Sequence, residues 1–322
     1  ASETSMPGTP ARPMGWIAIL LGFLTAVGPV STDIYLPAFP ELESTLHGRA
    51  GSAQMTLAVW FVGLAIGQIT MGPLSDRFGR RRPMLLGTVV YTLASVGCAM
   101  ARDIPTFSLF RLIASVGASA SLIIPSACVR DMSHGNESAR LMSRLVLVMG
   151  VVPILAPTLG GMVLSIASWR SIFWASAVYG LICIVLIWRA LPETLRPENR
   201  SEFSPVTLFS RYVMLARDRG FITHAMIAGF SCFMSFTYLS AAPSVFRGQF
   251  GLSAAHFGML FGVFAVCMIG ASQLNGVLVG RIDAARILGI SVAVAVAGTI
   301  AMTAMATVIT FATQHGGHPP LW

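Results

Sequence analysis

This 322-residue chain is 55% hydrophobic and 11% charged, with a formal charge of +8 and a mean hydropathy of +0.74. A soluble domain carries roughly 25% charged residues, so a water-facing globular fold is excluded. Nucleic acid is excluded as a partner too, because every one of the 21 basic residues is Arg and they gather in alternate loops rather than one stripe.

Nine apolar runs are predicted to be membrane-spanning helices, at about 15–39, 54–74, 84–101, 105–129, 141–166, 172–189, 221–246, 256–279 and 287–313. Each is close to the ~20 residues that cross ~30 Å of hydrocarbon. An open sheet would leave backbone groups unsatisfied in lipid, so an all-α membrane protein is expected. The first run, from Trp16 to about Phe39, exceeds the ~7–15 residues of a signal-peptide core and is read as a first span.

With a cytoplasmic N-terminus, sixteen arginines fall inside: Arg12, then Arg77, Arg80, Arg81 and Arg82, then Arg130, Arg140 and Arg144, then those between Arg189 and Arg219, then Arg281 and Arg286. Four fall outside, Arg49, Arg102, Arg170 and Arg247, and Arg111 is left within a span. The excess of arginine on one side predicts that orientation.

Between spans six and seven lies the longest polar stretch, with Pro192, Pro197 and Pro205 among mixed charges. It predicts three parts: a six-helix half at 1–189, a cytoplasmic linker at 190–220, and a three-helix part at 221–322. A weak repeat supports two related halves. Gly72-Pro73-Leu74-Ser75-Asp76-Arg77-Phe78-Gly79-Arg80-Arg81-Arg82 follows span two, and Gly276-Val277-Leu278-Val279-Gly280-Arg281-Ile282-Asp283-Ala284-Ala285-Arg286 follows span eight. Parallel repeats of this kind build many transporters.

Two ionisable residues sit inside spans. Asp33 lies seven residues, ~10 Å, below the outer end of span one, and Arg111 six residues, ~9 Å, below the outer start of span four. Such groups are expensive in hydrocarbon, so an ion pair or a wet cavity is expected at their shared depth. The plainer readings are that Asp33 reaches the outer interface and that Arg111 is structural. Tyr35, Met55, Trp60, Phe236 and Tyr238 are candidates to line an apolar substrate cavity, against ordinary helix or lipid packing. The cysteines Cys98, Cys128, Cys183, Cys232 and Cys267 all lie in apolar runs and predict small buried hydrophobes. His315 and His318 form no metal site by spacing. No loop groups a nucleophile with a base, so neither an enzyme nor a bound cofactor is expected.

The run Gly72 to Met84 resembles the signature loop of the major facilitator superfamily, Gly-x-Leu-x-Asp-Arg-x-Gly-Arg-Arg. Gly79 suits a tight turn, and the arginines suit an anionic leaflet. The resemblance implies a conformational switch built from Gly72, Asp76, Arg77, Gly79, Arg80 and Arg81, with Asp76 facing the positive end of a helix in the other half. Pro153-Ile154-Leu155-Ala156-Pro157-Thr158-Leu159-Gly160-Gly161 resembles the Gly-Pro-x-x-Gly-Gly motif of drug–proton antiporters, with Ala156 replacing its first Gly. Pro153, Pro157, Gly160 and Gly161 are its carriers, and a generic small-residue packing site is the alternative. Ser31-Thr32-Asp33-Ile34-Tyr35-Leu36-Pro37-Ala38-Phe39-Pro40 resembles the corresponding segment of the Bcr/CflA drug-resistance subfamily, which includes bicyclomycin and chloramphenicol exporters. Arg111 begins a stretch similar to the family's fourth-span Arg-x-x-Gln-Gly-type motif, with Ala114 in place of the Gln and Gly117 further on.

That resemblance implies a twelve-span bundle of which nine are present, so the chain is expected to be C-terminally truncated at Trp322. It implies multidrug efflux by alternating access in exchange for protons, with Asp33 and Arg111 coupling the proton and a proton gradient as the energy source. The expected partners are a drug-like small molecule, protons and membrane lipid, for a monomer in a bacterial inner membrane. The alternatives are a proton-coupled transporter of a specific metabolite, or a non-transporting or inactive truncated membrane protein.

Overall fold

The computed structural model describes residues 14–133, 135–200, 205–249, 251–279, 282 and 284–314, which are helical with no strand among them. The residues singled out at Arg12, Gly280, Arg281, Asp283, His315, His318 and 316–322 lie outside the described residues. Seven described segments are long and apolar enough to cross a membrane, from Gly15–Thr45 to Arg219–Arg247. They coincide in order with the first seven predicted spans. Two further helices, α11 (Ala254–Val279) and α12 (Ala284–Gln314), cover the remaining two.

The first span is not one continuous helix. It consists of α1 (Met14–Thr25), α2 (Val27–Asp33), a 3-10 turn at Leu36–Ala38 and α3 (Phe39–Thr45). Proline accounts for the breaks, since it has no N–H to donate to the carbonyl four residues back. Pro29 leaves the Thr25 carbonyl without its helical donor and Pro37 does the same to Asp33, the last residue of α2.

The next spans are α4 (Ser52–Phe78), α5 (Arg81–Met100), α6 (Ile104–Met132), α7 (Gly135–Ile166) and α8 (Trp169–Ala190). Asp103 caps α6 by accepting the Thr106 N–H at 2.8 Å. Helix α6 is the axis of the packing, with α4 and α5 along it and α8 against α5. Small residues allow that approach. A Cβ at Gly87 of α5 would lie 2.7 Å from the Gly117 carbonyl of α6, closer than any side chain tolerates. Lipid gives helices no hydrophobic drive to associate, so close backbone packing of this kind holds them together. Cys98, Cys128 and Cys183 are buried as expected, whereas Cys232 and Cys267 are exposed on the later helices.

The stretch after α8 is more ordered than its prolines suggest. It contains a 3-10 turn at Pro197–Asn199 and then α9 (Pro205–Arg217), which leads into α10 (Arg219–Pro243). Pro205 opens α9 where its missing N–H costs nothing, and no Pro or Gly interrupts the following twelve residues. The chain separates into two compact units at 265/266, within α11. Residues 1–265 carry every candidate site residue; the rest of α11 and α12 form the second unit.

One contact ties α9 to the body of its unit. Pro73 lies inside α4 and removes the bond that the Ile69 carbonyl would accept. The Tyr212 hydroxyl of α9 donates to that same carbonyl at 3.1 Å. One neutral hydrogen bond contributes ~0.5–1.5 kcal/mol, so Tyr212→Phe is expected to speed tryptic cleavage at the exposed Arg217 and Arg219 by roughly 2- to 10-fold. In a Pro73→Ala background the helix supplies its own donor, and Tyr212→Phe should then add nothing. Equal increments in both backgrounds would disconnect the tyrosine from the proline gap.

Candidate functional site

Arg111 of α6 is 2% exposed, and aromatic rings hold it. Its guanidinium carbon lies 4.1 Å from the Trp60 ring centre, 4.3 Å from Tyr35 and 5.9 Å from Phe173. Cation–π attraction of this kind strengthens when water is absent. Nη1 donates to the Ser31 carbonyl at 3.1 Å, while Nε and Nη2 are buried without an acceptor. The cage is itself fixed. Thr56 donates to the Ala53 carbonyl at 2.7 Å, which leaves its oxygen to accept the Tyr35 hydroxyl at 3.2 Å. Tyr35 also packs edge-on to Phe173, with ring centres 5.8 Å apart. Tyr35 and Trp60, expected as cavity-lining residues, are therefore fully buried walls of the Arg111 cage.

Asp33 is 5% exposed at the broken end of α2. It has no hydrogen-bond or ion-pair partner among the described residues, so the expected ion pair with Arg111 is not formed in this structure. The link between the two regions is instead the Ser31 carbonyl, two residues before Asp33. The Ser31 hydroxyl in turn meets the Tyr91 hydroxyl of α5 at 2.5 Å.

The Pro153–Gly161 segment of α7 passes beside this break. A Cβ at Gly160 would fall on the Ile34 carbonyl, the residue after Asp33. On its other side the same segment meets α11. The Thr158 hydroxyl donates to the Gly258 carbonyl at 3.1 Å, and a Cβ at Gly258 would lie 2.9 Å from the Thr158 Cα. Pro157, Gly160 and Gly161 are buried and Pro153 is half-buried. Small residues here let α7 approach the backbone of two neighbours closely.

The loop after α4 forms a separate charged cluster. Gly79 has φ +86° and a Cβ there would strike the Glu193 carboxylate, so both conformation and space require glycine. A Cβ at Gly72 would meet nothing within 4 Å, so no such need exists there. Arg80 donates to Asp76 at 2.5 Å, to Asp131 at 2.8 Å and to the Ser75 hydroxyl at 2.9 Å. Burial lowers its proton affinity, but the bonds and charges of Asp131 and Asp76 outweigh that and hold it above the ordinary arginine value. Glu193 accepts the Arg80 and Arg81 N–H groups at 2.7 and 3.3 Å, capping α5. Arg77 lies over the Phe78 ring at 5.1 Å.

The other substrate candidates do not gather around Arg111. Met55 is 64% exposed. Phe236 meets Phe61 at a tilt with ring centres 4.2 Å apart, and Tyr238 packs against the Tyr35 cluster. Sequence reasoning missed Asp131 and Glu193. The signal was available in both, since acids beside span ends must neutralise the nearby arginines. It also missed Glu41 of α3, whose carboxylate takes both arms of Arg247 at 2.7 and 2.9 Å.

Comparison with known proteins agrees with this architecture. Residues 21–316 match the model of the Major Facilitator Superfamily. The chain is 36% identical over 302 residues to the MFS-type transporter YdgK of Bacillus subtilis, covering 93% of this chain and 74% of that protein. It is 29% identical to a bicyclomycin resistance protein homolog of Haemophilus influenzae, with 86% and 69% covered. It is 28% identical to a chloramphenicol resistance protein of Pseudomonas aeruginosa, with 94% and 71% covered. Among solved structures, a bacterial homolog of the human lysosomal transporter Spinster shares the fold at TM-score 0.69 and 16% identity, over 85% of this chain and 64% of that one. The D-xylose–proton symporter does so at TM-score 0.63 and 18% identity, over 83% and 68%. A multi-pass helical chain with this loop and this matched length belongs to the major facilitator superfamily of membrane transporters, and is not an enzyme.

Proposed function

We propose that the protein exports small amphipathic drugs in exchange for protons by alternating access, from a bacterial inner membrane with its N-terminus in the cytoplasm. The observation that carries this reading is a buried, unpartnered Asp33 near an Arg111 that keeps two nitrogens, Nε and Nη2, without acceptors. A carboxylate and a guanidinium left apart can come together in another state, and proton affinity then changes with conformation. The break in the first span after Asp33 supports movement at that point. The names of the resistance-protein relatives support drugs over a single metabolite.

The test is accumulation of chloramphenicol and of bicyclomycin in cells making this chain, with and without an uncoupler. Lower accumulation that the uncoupler abolishes is expected. Unchanged accumulation of both, together with a growth phenotype on one metabolite, would favour the metabolite reading.

A further inference from the structure

Beside the Gly79 loop is a cavity of about 420 Å³, at the junction of the end of α4, the first turns of α5 and the end of α8. Arg81, Arg82 and Arg200 supply its charge, and Phe78, Leu85 and Trp188 supply apolar walls. Its one carboxylate, Glu193, is committed to the N–H groups of Arg80, Arg81 and Leu195. Arg81 also donates to the Trp188 carbonyl. The guanidinium groups of Arg82 and Arg200 have no hydrogen-bond or ion-pair partner among the described residues. Three guanidinium groups against one carboxylate leave an excess of two positive charges in one cavity.

Like charges gathered so closely repel unless an anion lies between them, and the guanidinium fork matches a phosphate oxygen pair. A soluble anion would use only the arginines. Phe78 and Trp188 are 44% and 61% exposed beside them, which suits a ligand with an apolar tail. Tryptophan at the end of a span belongs at the headgroup level of a bilayer. We propose that this cavity binds the phosphate of an anionic phospholipid from the cytoplasmic leaflet, with its acyl chains along Phe78 and Trp188. Such a lipid bridges the start of α5 and the segment after α8, on either side of Glu193. It thereby holds the Gly79 loop closed on its cap. The inference rests on membrane embedding, on the proposed orientation with the N-terminus inside and on this cavity, and does not depend on which substrate is carried.

The test is native mass spectrometry of the protein purified with equal phosphatidylglycerol and phosphatidylcholine. Preferential retention of phosphatidylglycerol is expected. Arg82→Gln with Arg200→Gln should weaken it by about 25-fold, at about fivefold per basic residue near an anionic surface. Both side chains are exposed, so an unchanged Tm confirms folding. Arg49→Gln with Arg102→Gln, at the other ends of the helices, should retain the lipid. Trp188→Ala should weaken retention of the lipid and leave binding of inorganic phosphate unaltered. Equal retention of the two lipids by the unmodified protein, or undiminished retention by the Arg82/Arg200 variant, would overturn the proposal. Displacement of the lipid by equimolar inorganic phosphate would also overturn it, by making the site one for a soluble anion.

Discussion

Replacing Asp33 with Asn is expected to reduce drug-driven proton movement in everted vesicles to the level of vesicles lacking the protein. Asn has nearly the shape of Asp but neither takes up nor releases a proton. No hydrogen bond or ion pair is lost, since Asp33 has none among the described residues. An unpartnered buried carboxyl contributes no stabilising bond, so its replacement is expected to leave stability unchanged or raise it. Drug binding and membrane insertion therefore persist while coupling is lost, and that separation distinguishes a proton carrier from a residue that merely packs. Asp33→Glu keeps the chemistry at a longer reach and should recover part of the activity. A pH-sensitive dye in the vesicle lumen reports the outcome. Proton release by Asp33→Asn equal to that of the unmodified protein would remove Asp33 from the mechanism.

Gly160→Ala is expected to be nearly as damaging, for a steric reason. The added Cβ would fall on the Ile34 carbonyl, and a backbone atom cannot swing aside as a side-chain end can. Helices α2 and α7 would have to separate, and overpacking of this kind costs ~1–3 kcal/mol. The separation would fall at the residue following Asp33, so transport should suffer beyond the loss of stability. Gly229→Ala in α10 is the matched comparison. Its Cβ would meet nothing within 4 Å, and Ala is the better helix former by ~0.8–1 kcal/mol. Thermal unfolding in detergent and export in cells should both fall for Gly160→Ala and hold for Gly229→Ala. Equal behaviour of the two would show that the seam between α2 and α7 tolerates expansion.

The conformational-switch loop shows how far a motif can be read. Gly79 was legible as a turn, because a left-handed φ in a short polar connection is a local requirement. Asp76 bonds Arg80 one helical turn on, a partner that local spacing supplies. The remaining partners of Arg80 were not legible. Asp131 lies 51 residues along the chain, and Glu193, which caps Arg80's own N–H, lies 113 residues along.

The sequence by itself determined the helical membrane class and the order of the spans. These follow from run length and from where polar residues interrupt the runs, both local properties. It also placed Asp33 and Arg111 at one depth, because depth follows from a fixed rise of ~1.5 Å per residue. Only the tertiary structure decided which way each side chain faces. That depends on rotation about the helix axis, which a sequence does not fix where a span is interrupted, as the first is between Met14 and Thr45. It is the Ser31 carbonyl, rather than the Asp33 carboxylate, that meets Arg111. The guanidinium is then held by Tyr35 and Trp60, residues whose apolar character alone suggested a wall for substrate.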